Sequence, residues 1–486
     1  MKENSAKSKK KFTRRKFIGH STLAATGFMI VPRYVLGGTG YVSPSDRLNI
    51  AAIGAGGKGD SNIRYAVGFE EGKKDFLENV VALCDVDDER AKASYSRFPK
   101  AKRFKDFRKM LDSMSGEIDA VIVSTPDHTH AVAAMAAMEL GKHIYVEKPL
   151  THSVHEARML TEAARKYKVV TQMGNQGNSS DDIRRICEWI WAGTIGDVRE
   201  VHCWTNRPVW AQGLVRPSEK PPVPDTLDWD LWLGPAPQQS YHSMFVPFGW
   251  RGWWDFGTGA LGDMACHIID PAFKALKLGY PSQVEATSAT RYGDSWNRLV
   301  FPKSAPLSSM IHFDFPAREG MPPVTLHWYD GGLMPRRPEE LQDGEPMGDS
   351  GGGVLFIGDK GKIMCSTYAR NPTLLPTSLM KDFKEPEPTL ERVTVNHQRS
   401  WIEGIKGGSM PSSNFDYAGP LTEMILMGNL AIRSLDIQEE KMINGEKRMV
   451  YTGNQKLKWD GKNMRITNYD PANQFVKRDY REGWQL

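Results

Sequence analysis

From Leu48 onward, short apolar runs alternate with stretches of helical spacing. Residues 48–53 (Leu-Asn-Ile-Ala-Ala-Ile), 80–84, 119–124, 143–146 and 168–173 are apolar runs of strand length. Near-continuous hydrophobicity of this kind marks strands buried on both faces, as in a parallel sheet. Residues 104–111, 131–140 and 154–167, which lie between them, read as helices. The alternation predicts a doubly wound α/β unit that ends near Met173. Beyond it the pattern changes. Long alternating runs at 309–315 and 324–328 predict an open, largely antiparallel sheet with one solvated face. Residues 207–255 are rich in Trp and Pro with little periodicity, and read as a surface excursion that helps shape a pocket. The clustered glycines of 351–361 sit between strand-like flanks, so Gly358-Asp359-Lys360-Gly361 is expected to be a hairpin turn.

The first apolar run stops at Gly54-Ala55-Gly56-Gly57-Lys58-Gly59, a G-x-G-x-x-G sequence directly after a strand and before a helix. Glycine at 54, 56 and 59 lets the backbone turn tightly and approach a pyrophosphate, whose charge is met by the helix N-terminus. The second strand ends at Asp85. An acid there reads the adenosine ribose hydroxyls and favours NAD, although Arg90 could receive the 2′-phosphate of NADP. The fold expected is therefore α/β: an N-terminal doubly wound Rossmann domain over 46–173, then a C-terminal α/β domain with a large, mostly antiparallel open sheet over 174–440. Residues 441–486 are a C-terminal extension, and the roughly 445 residues after residue 40 suit two or three domains.

Residues 1–40 are a different object. They carry nine Lys/Arg against Glu3 alone, a net of +8, so the rest holds −3 of the chain's +5. The basic balance belongs to this leader and gives no reason to expect nucleic acid. Thr13-Arg14-Arg15-Lys16-Phe17-Ile18, followed by the mildly apolar 21–36, looks like a twin-arginine export signal, the alternative being a disordered basic tail. The apolar run is too short to span a bilayer, which needs about 20 residues. Export implies a periplasmic protein and the twin-arginine machinery as a partner. Five cysteines (Cys84, Cys187, Cys203, Cys266, Cys365) stand singly without C-x-x-C spacing, which argues against zinc or a disulfide framework. A chain that folds before export would keep them as free thiols.

Three further motifs carry chemistry: Thr125-Pro126-Asp127-His128-Thr129-His130, Glu147-Lys148-Pro149, and Asp263 with His267 one helical turn later. With the glycine fingerprint and Gly259-Ala260-Leu261-Gly262-Asp263, they make the chain resemble the glucose-fructose oxidoreductase and inositol dehydrogenase family (Gfo/Idh/MocA). The resemblance implies that Lys148, Asp263 and His267 line the substrate pocket beside a nicotinamide, and that Thr125, Pro126, His130, Glu147 and Lys148 help hold the cofactor. Ala265 departs from the glycine common in the family. Family members commonly pair through the open sheet, so a homo-oligomer is expected.

Residue chemistry points the same way. Oxidising a secondary alcohol needs a base for the hydroxyl proton, and an imidazole titrates near 6.5. Asp263 at i and His267 at i+4 share a helix face, so the carboxylate is expected to orient the imidazole base. Lys148 is placed to stabilise the alkoxide or relay its proton. His128-x-His130 suggests no third ligand, so no metal is expected there. Trp250-Arg251-Gly252-Trp253-Trp254-Asp255 has the residue types that stack on and hydrogen-bond a pyranose, making Arg251, Trp253 and Trp254 substrate candidates, with core packing the alternative for the indoles. Asn175 is a weaker pocket candidate. The leading reading is an exported NAD(P)-dependent oxidoreductase that moves a hydride between a ring hydroxyl of a sugar, glycoside or polyol and tightly bound nicotinamide. Its rivals are redox-neutral glycoside cleavage by oxidation and elimination, and a non-catalytic sugar-binding protein.

Overall fold

The computed structural model describes residues 46–72 and 76–486. The expected leader, 1–40, lies outside them.

Six short strands make the first sheet: β1 (Asn49–Ile53), β2 (Asn79–Cys84), β3 (Lys102–Phe104), β4 (Ala120–Val123), β5 (His143–Val146) and β6 (Thr171–Met173). All pair in parallel, in the order β3-β2-β1-β4-β5-β6. The order reverses direction between β1 and β4, and the carboxyl ends of strands at such a switch point open a crevice for ligands. Five helices cover the sheet: α1 (Lys58–Ala66), α2 (Asp88–Arg97), α3 (Phe107–Met114), α4 (Asp127–Glu139) and α5 (Val154–Tyr167). Local chemistry fixes their starts. Asp87 and Asp106 cap α2 and α3 through side-chain bonds to backbone N–H groups, and Ser153 with Glu156 forms a capping box on α5. The cap at Asp106 moves the helix expected over 104–111 to Phe107–Met114, and Phe104 ends β3 instead. His128 and His130 likewise lie in the first turn of α4, which starts at Asp127 rather than at the expected residue 131.

The second part builds on a nine-stranded sheet. Its strands are β7 (Val198–Thr205), β8 (Gln283–Ser288), β11 (Ser309–Phe315), β12 (Val324–Tyr329), β13 (Gly352–Gly358), β14 (Lys362–Ser366), β15 (Thr373–Leu375), β18 (Leu457–Asp460) and β19 (Arg465–Ile466). Two small hairpins complete the set, β9 (Arg291–Tyr292) with β10 (Arg298–Leu299) and β16 (Gln438–Ile443) with β17 (Glu446–Tyr451). The large sheet runs β15-β14-β13-β7-β12-β11-β8-β18-β19; only β7 with β12 is a parallel pair. Ile311, Phe313, Leu326 and Trp328 are fully buried on one face, while Met310, His312, Thr325 and His327 of the other are half-exposed. That is the period-two signature of a sheet covered on one side. The helices of this part are α6 (Asp181–Trp191), the short α7 (Trp229–Leu233), α8 (Gly259–Ile268), α9 (Asp270–Ala275), α10 (His397–Ile405) and the long α11 (Phe415–Ser434), of which α8 and α11 pack directly on the strands of the large sheet. Helix α11 packs on α5, α8, β8 and β11 and so ties the two sheets together.

Two segments cross the expected boundaries. Helix α10, from within 174–440, buries Trp401 and Ile402 in the core of the first sheet against α1 and β5. The 441–486 segment adds β18 and β19 to the large sheet, then returns along the first domain, where Arg478 pairs with Glu156 and Trp484 packs on Phe107. The Trp-rich 207–255 stretch has a core of its own, in which Trp229 and Trp232 stack at 4.7 Å and Phe245, Trp253 and Phe256 close around them.

Candidate active site

A cavity of about 550 Å3 opens at the switch point and is lined from both sheets' surroundings. Its first wall is the glycine loop. Gly54 and Gly57 sit at φ +82° and +55°, in the left-handed region, and a Cβ on Gly59 would lie 1.8 Å from the Gly54 carbonyl oxygen. A Cβ on Gly56 would meet the Arg90 carbonyl oxygen at 2.5 Å, so α2 packs where only glycine fits. No side chain caps α1 at Gly57; the Gly59 N–H turns back to the Gly56 carbonyl oxygen at 3.0 Å, and the helix end is otherwise open to a ligand anion.

Asp85 has a second task besides the one expected of it. Its Oδ2 accepts from the backbone N–H groups of Ala55 (2.8 Å) and Gly56 (3.0 Å), and its Oδ1 from that of Asp87 (3.0 Å). Burial raises its pKa and these three bonds resist the rise. The carboxylate therefore braces the glycine loop, and with about four acceptor sites it retains one for a ribose hydroxyl. Asp85→Ser is accordingly expected to lower the affinity for NAD more than that for NADP, and to weaken both because the loop loses its brace. Dissociation constants from cofactor titration check this; an unchanged NAD:NADP ratio would move the ribose contact to Asp87 or Arg90.

Thr125 and Pro126 line the cavity where β4 ends, and the Thr125 hydroxyl is buried without a partner. An orphaned buried hydroxyl facing a cavity is what a bound cofactor would satisfy. With the glycine loop and open helix end, the residues present fit a dinucleotide. His130 lies behind this wall: its ring nitrogens are each 2.8 Å from a carbonyl oxygen, that of Thr125 and that of Pro149. His128 is buried with Nε2 2.9 Å from the Trp232 carbonyl oxygen, and burial pushes its pKa down to about 3. Glu147 accepts from Asn62 Nδ2 at 2.8 Å and from Gln176 Nε2 at 3.4 Å.

The chemical centre forms where β5 meets α8. Lys148 Nζ donates to Asp263 Oδ1 at 2.9 Å and to the Asp263 carbonyl oxygen, and Arg251 Nε donates to the same Oδ1 at 3.1 Å. Burial alone would raise Asp263, but the two cations hold its carboxyl well below the usual range. For Lys148 burial works downward and the Asp263 carboxylate overcomes it, so the ammonium persists to higher pH than usual. His267 is 4 % exposed and its ring meets the Tyr368 ring edge-on at 4.5 Å. Burial first, and Lys148 second, push its pKa well below 6.5, with Asp263 only partly offsetting them. Its Nδ1 has no hydrogen-bond partner. No hydrogen bond joins Asp263 to the imidazole: two half-buried cations take the carboxylate first, so Asp263 orients Lys148 rather than His267.

Residues 48–175 match the family described as oxidoreductase family, NAD-binding Rossmann fold, and residues 195–299 match its C-terminal alpha/beta domain. These two stretches carry the two domains of the Gfo/Idh/MocA family of oxidoreductases. Among its relatives is levoglucosan dehydrogenase of Pseudarthrobacter phenanthrenivorans, 28% identical over 227 residues, 46% of this chain and 50% of that protein. Inositol 2-dehydrogenase 3 of Saccharopolyspora erythraea is 30% identical over 162 residues, 33% of this chain and 46% of that protein. The chain spans about half the length of the curated relatives it matches. A solved WlbA dehydrogenase from Bordetella pertussis, in complex with NADH and UDP-GlcNAcA, shares the fold with a TM-score of 0.54 at 17% identity, over 80% of this chain and 97% of that one.

Not every residue expected at the site reaches the cavity. Asn175 is fully buried in a polar knot, donating to Asp270 Oδ2 at 3.0 Å and accepting from Ser413, where it holds α9 in place. Trp253 packs in the aromatic core of 207–255, and Trp254 lies under the Arg433 guanidinium, so neither indole faces the cavity. Of the tryptophans in 250–255 it is Trp250 that lines the cavity, and with Phe248 it flanks Arg251, their rings 4.2 and 4.4 Å from the guanidinium carbon. Tyr368, Arg207, Gln176 and Trp484 also line it, and no motif announced them. Tyr368 sits at φ +65° on the turn after β14, a backbone state that its residue type conceals.

Proposed function

We propose that this chain is an NAD-dependent dehydrogenase that oxidises or reduces a ring hydroxyl of a sugar, glycoside or polyol. The reading rests on one observation: the cavity lined by Gly54, Gly56 and Thr125 is also lined by Lys148, Asp263 and His267. Bound NAD supplies the hydride acceptor. His267, neutral because of its burial, takes the hydroxyl proton while the C–H bond gives up its hydride. The Lys148 ammonium, fixed by Asp263, donates to the same oxygen and stabilises the negative charge that grows on it. Trp250, Phe248 and Arg251 offer an apolar wall beside a guanidinium, a pairing suited to a sugar face and its hydroxyls. Similarity to a levoglucosan dehydrogenase and an inositol 2-dehydrogenase supports a cyclic polyhydroxyl substrate. The test is product analysis by mass spectrometry: incubation of NAD-loaded protein with sugars and polyols is expected to yield a product lacking two hydrogens. A substrate that binds and is returned unchanged would leave a sugar-binding protein.

Export belongs to the same reading, on the strength of Arg14-Arg15 and the apolar 21–36. A periplasmic site has no large nicotinamide pool, so the cofactor enters in the cytoplasm and stays bound, one substrate reducing it and a second reoxidising it. The five cysteines are buried free thiols, as folding before export would leave them. Replacing Arg14 and Arg15 with Lys is expected to hold active, folded precursor in the cytoplasm, as fractionation would report. Normal periplasmic delivery would remove both the signal and the case for a preloaded cofactor. Assembly into a homo-oligomer completes the proposal.

A further inference from the structure

The half-exposed face of the large sheet carries a second cluster of side chains, none of which lines the cavity. In the pairing of β11 with β12, His312 stands opposite His327, and in that of β12 with β7, His327 stands beside His202. Three imidazoles thus cross three neighbouring strands in one row. Glu200 lies two residues before His202 on the same face. His202 Nε2 is 2.9 Å and His327 Nε2 is 3.4 Å from one atom, Glu200 Oε1.

The other nitrogens of both rings are also held. His202 Nδ1 is 3.0 Å from the Tyr329 hydroxyl, and His327 Nδ1 is 2.6 Å from His312 Nδ1. The His202 and His327 rings stack with centroids 4.8 Å apart and an interplanar angle of 19°. Both imidazoles are therefore fixed from behind, with Nε2 aimed at a common point beside a carboxylate. Metal-binding histidines are typically built this way, the far nitrogen tied to a neighbour so that ring orientation is set before the ion arrives.

We propose that Glu200, His202 and His327 bind one divalent transition-metal ion, zinc in particular. Two imidazoles and a carboxylate are a ligand set zinc takes readily, with water completing four-coordination. Nitrogen and oxygen ligands at about 2.0–2.1 Å in a tetrahedron lie roughly 3.4 Å apart. The ligand atoms here are all within 4.8 Å of one another; of the two distances to Oε1, that from His327 Nε2, 3.4 Å, matches that spacing and that from His202 Nε2, 2.9 Å, is slightly shorter. The Glu200 side chain is 45 % exposed, so the ion reaches the site from solvent without the sheet opening. The ion would clamp β7 to β12, the two central strands that pair in parallel. Sequence spacing conceals the set because its ligands come from two strands far apart in the chain.

The test uses the full chain, stripped with a chelator and titrated with zinc chloride by calorimetry. One ion per chain at micromolar concentration or below is expected, and Tyr329→Phe, which frees the back of His202, is expected to weaken it about 10-fold. His202→Gln with His327→Gln is expected to abolish saturable uptake. Zinc should also protect His202 and His327 of the unsubstituted chain from diethylpyrocarbonate, read by mass spectrometry, which needs no variant to fold. No saturable uptake by the unsubstituted chain, uptake unchanged in the double variant, or unprotected histidines would each overturn the proposal.

Discussion

Lys148→Ala and His267→Ala are each expected to slow hydride transfer by about 10²-fold or more while the protein stays folded and keeps its cofactor. The size is that of losing a general base or a charge that stabilises an alkoxide. Neither side chain is a packing keystone: Lys148 spends its bonds on Asp263, and His267 leaves Nδ1 without a partner in a buried wall. The two losses should differ in pH dependence. With His267 held neutral well below pH 6.5 by burial, the acid limb of kcat/KM in the unsubstituted protein falls below that value, and His267→Ala removes the limb. Near-normal single-turnover rates in both variants would make these residues structural.

Asp263→Ala is expected to be the most destabilising change at the site. It leaves Lys148 and Arg251, 14 % and 22 % exposed, facing each other without their shared anion. Stranding a charge by removing its buried partner costs about 3–5 kcal/mol. The sign with pH follows from the two shifts. Asp263, depressed in the fold, contributes above its unfolded value of about 3.9 and loses that contribution as pH falls through its lower folded value. Lys148, raised in the fold, contributes below about 10.4 and loses that contribution as pH rises through its higher folded value. The stability gap between Asp263→Ala and the unsubstituted chain should thus be flat from about pH 5 to 9 and narrow toward strong acid. Denaturant unfolding across that range measures it. A gap under about 1 kcal/mol, the scale of an exposed ion pair, would contradict the half-buried triad.

The parallel sheet was legible because its strands are buried on both faces and its glycine loop obeys steric rules that sequence states directly. Lys148, Asp263 and His267 were legible as motifs, yet their partners were not. A four-residue spacing puts Asp263 and His267 on one side of α8, but it says nothing of Arg251 arriving from the preceding turn and Lys148 from β5 to claim the carboxylate. The aromatic run misled for a related reason. Composition shows that indoles are available, and only the fold of 207–255 decides that Trp250 faces the cavity while Trp253 feeds a local core. Tyr368 and Trp484 arrive from β14's turn and from the last residues of the chain, contacts that no local pattern encodes. Asp85 combined both cases, its position read correctly and its bracing of Ala55 and Gly56 invisible.

The central claim is that the cavity joining the glycine loop to Lys148 and His267 transfers hydride from a polyhydroxyl substrate. Single-turnover absorbance of the bound nicotinamide, after mixing NAD-loaded protein with each member of a sugar and polyol panel, tests it most directly. Reduction of the bound cofactor by at least one member, at a rate that falls about 10²-fold or more in His267→Ala, is the result expected. Cofactor that stays oxidised with every member, or that is reduced equally fast in His267→Ala, would contradict it.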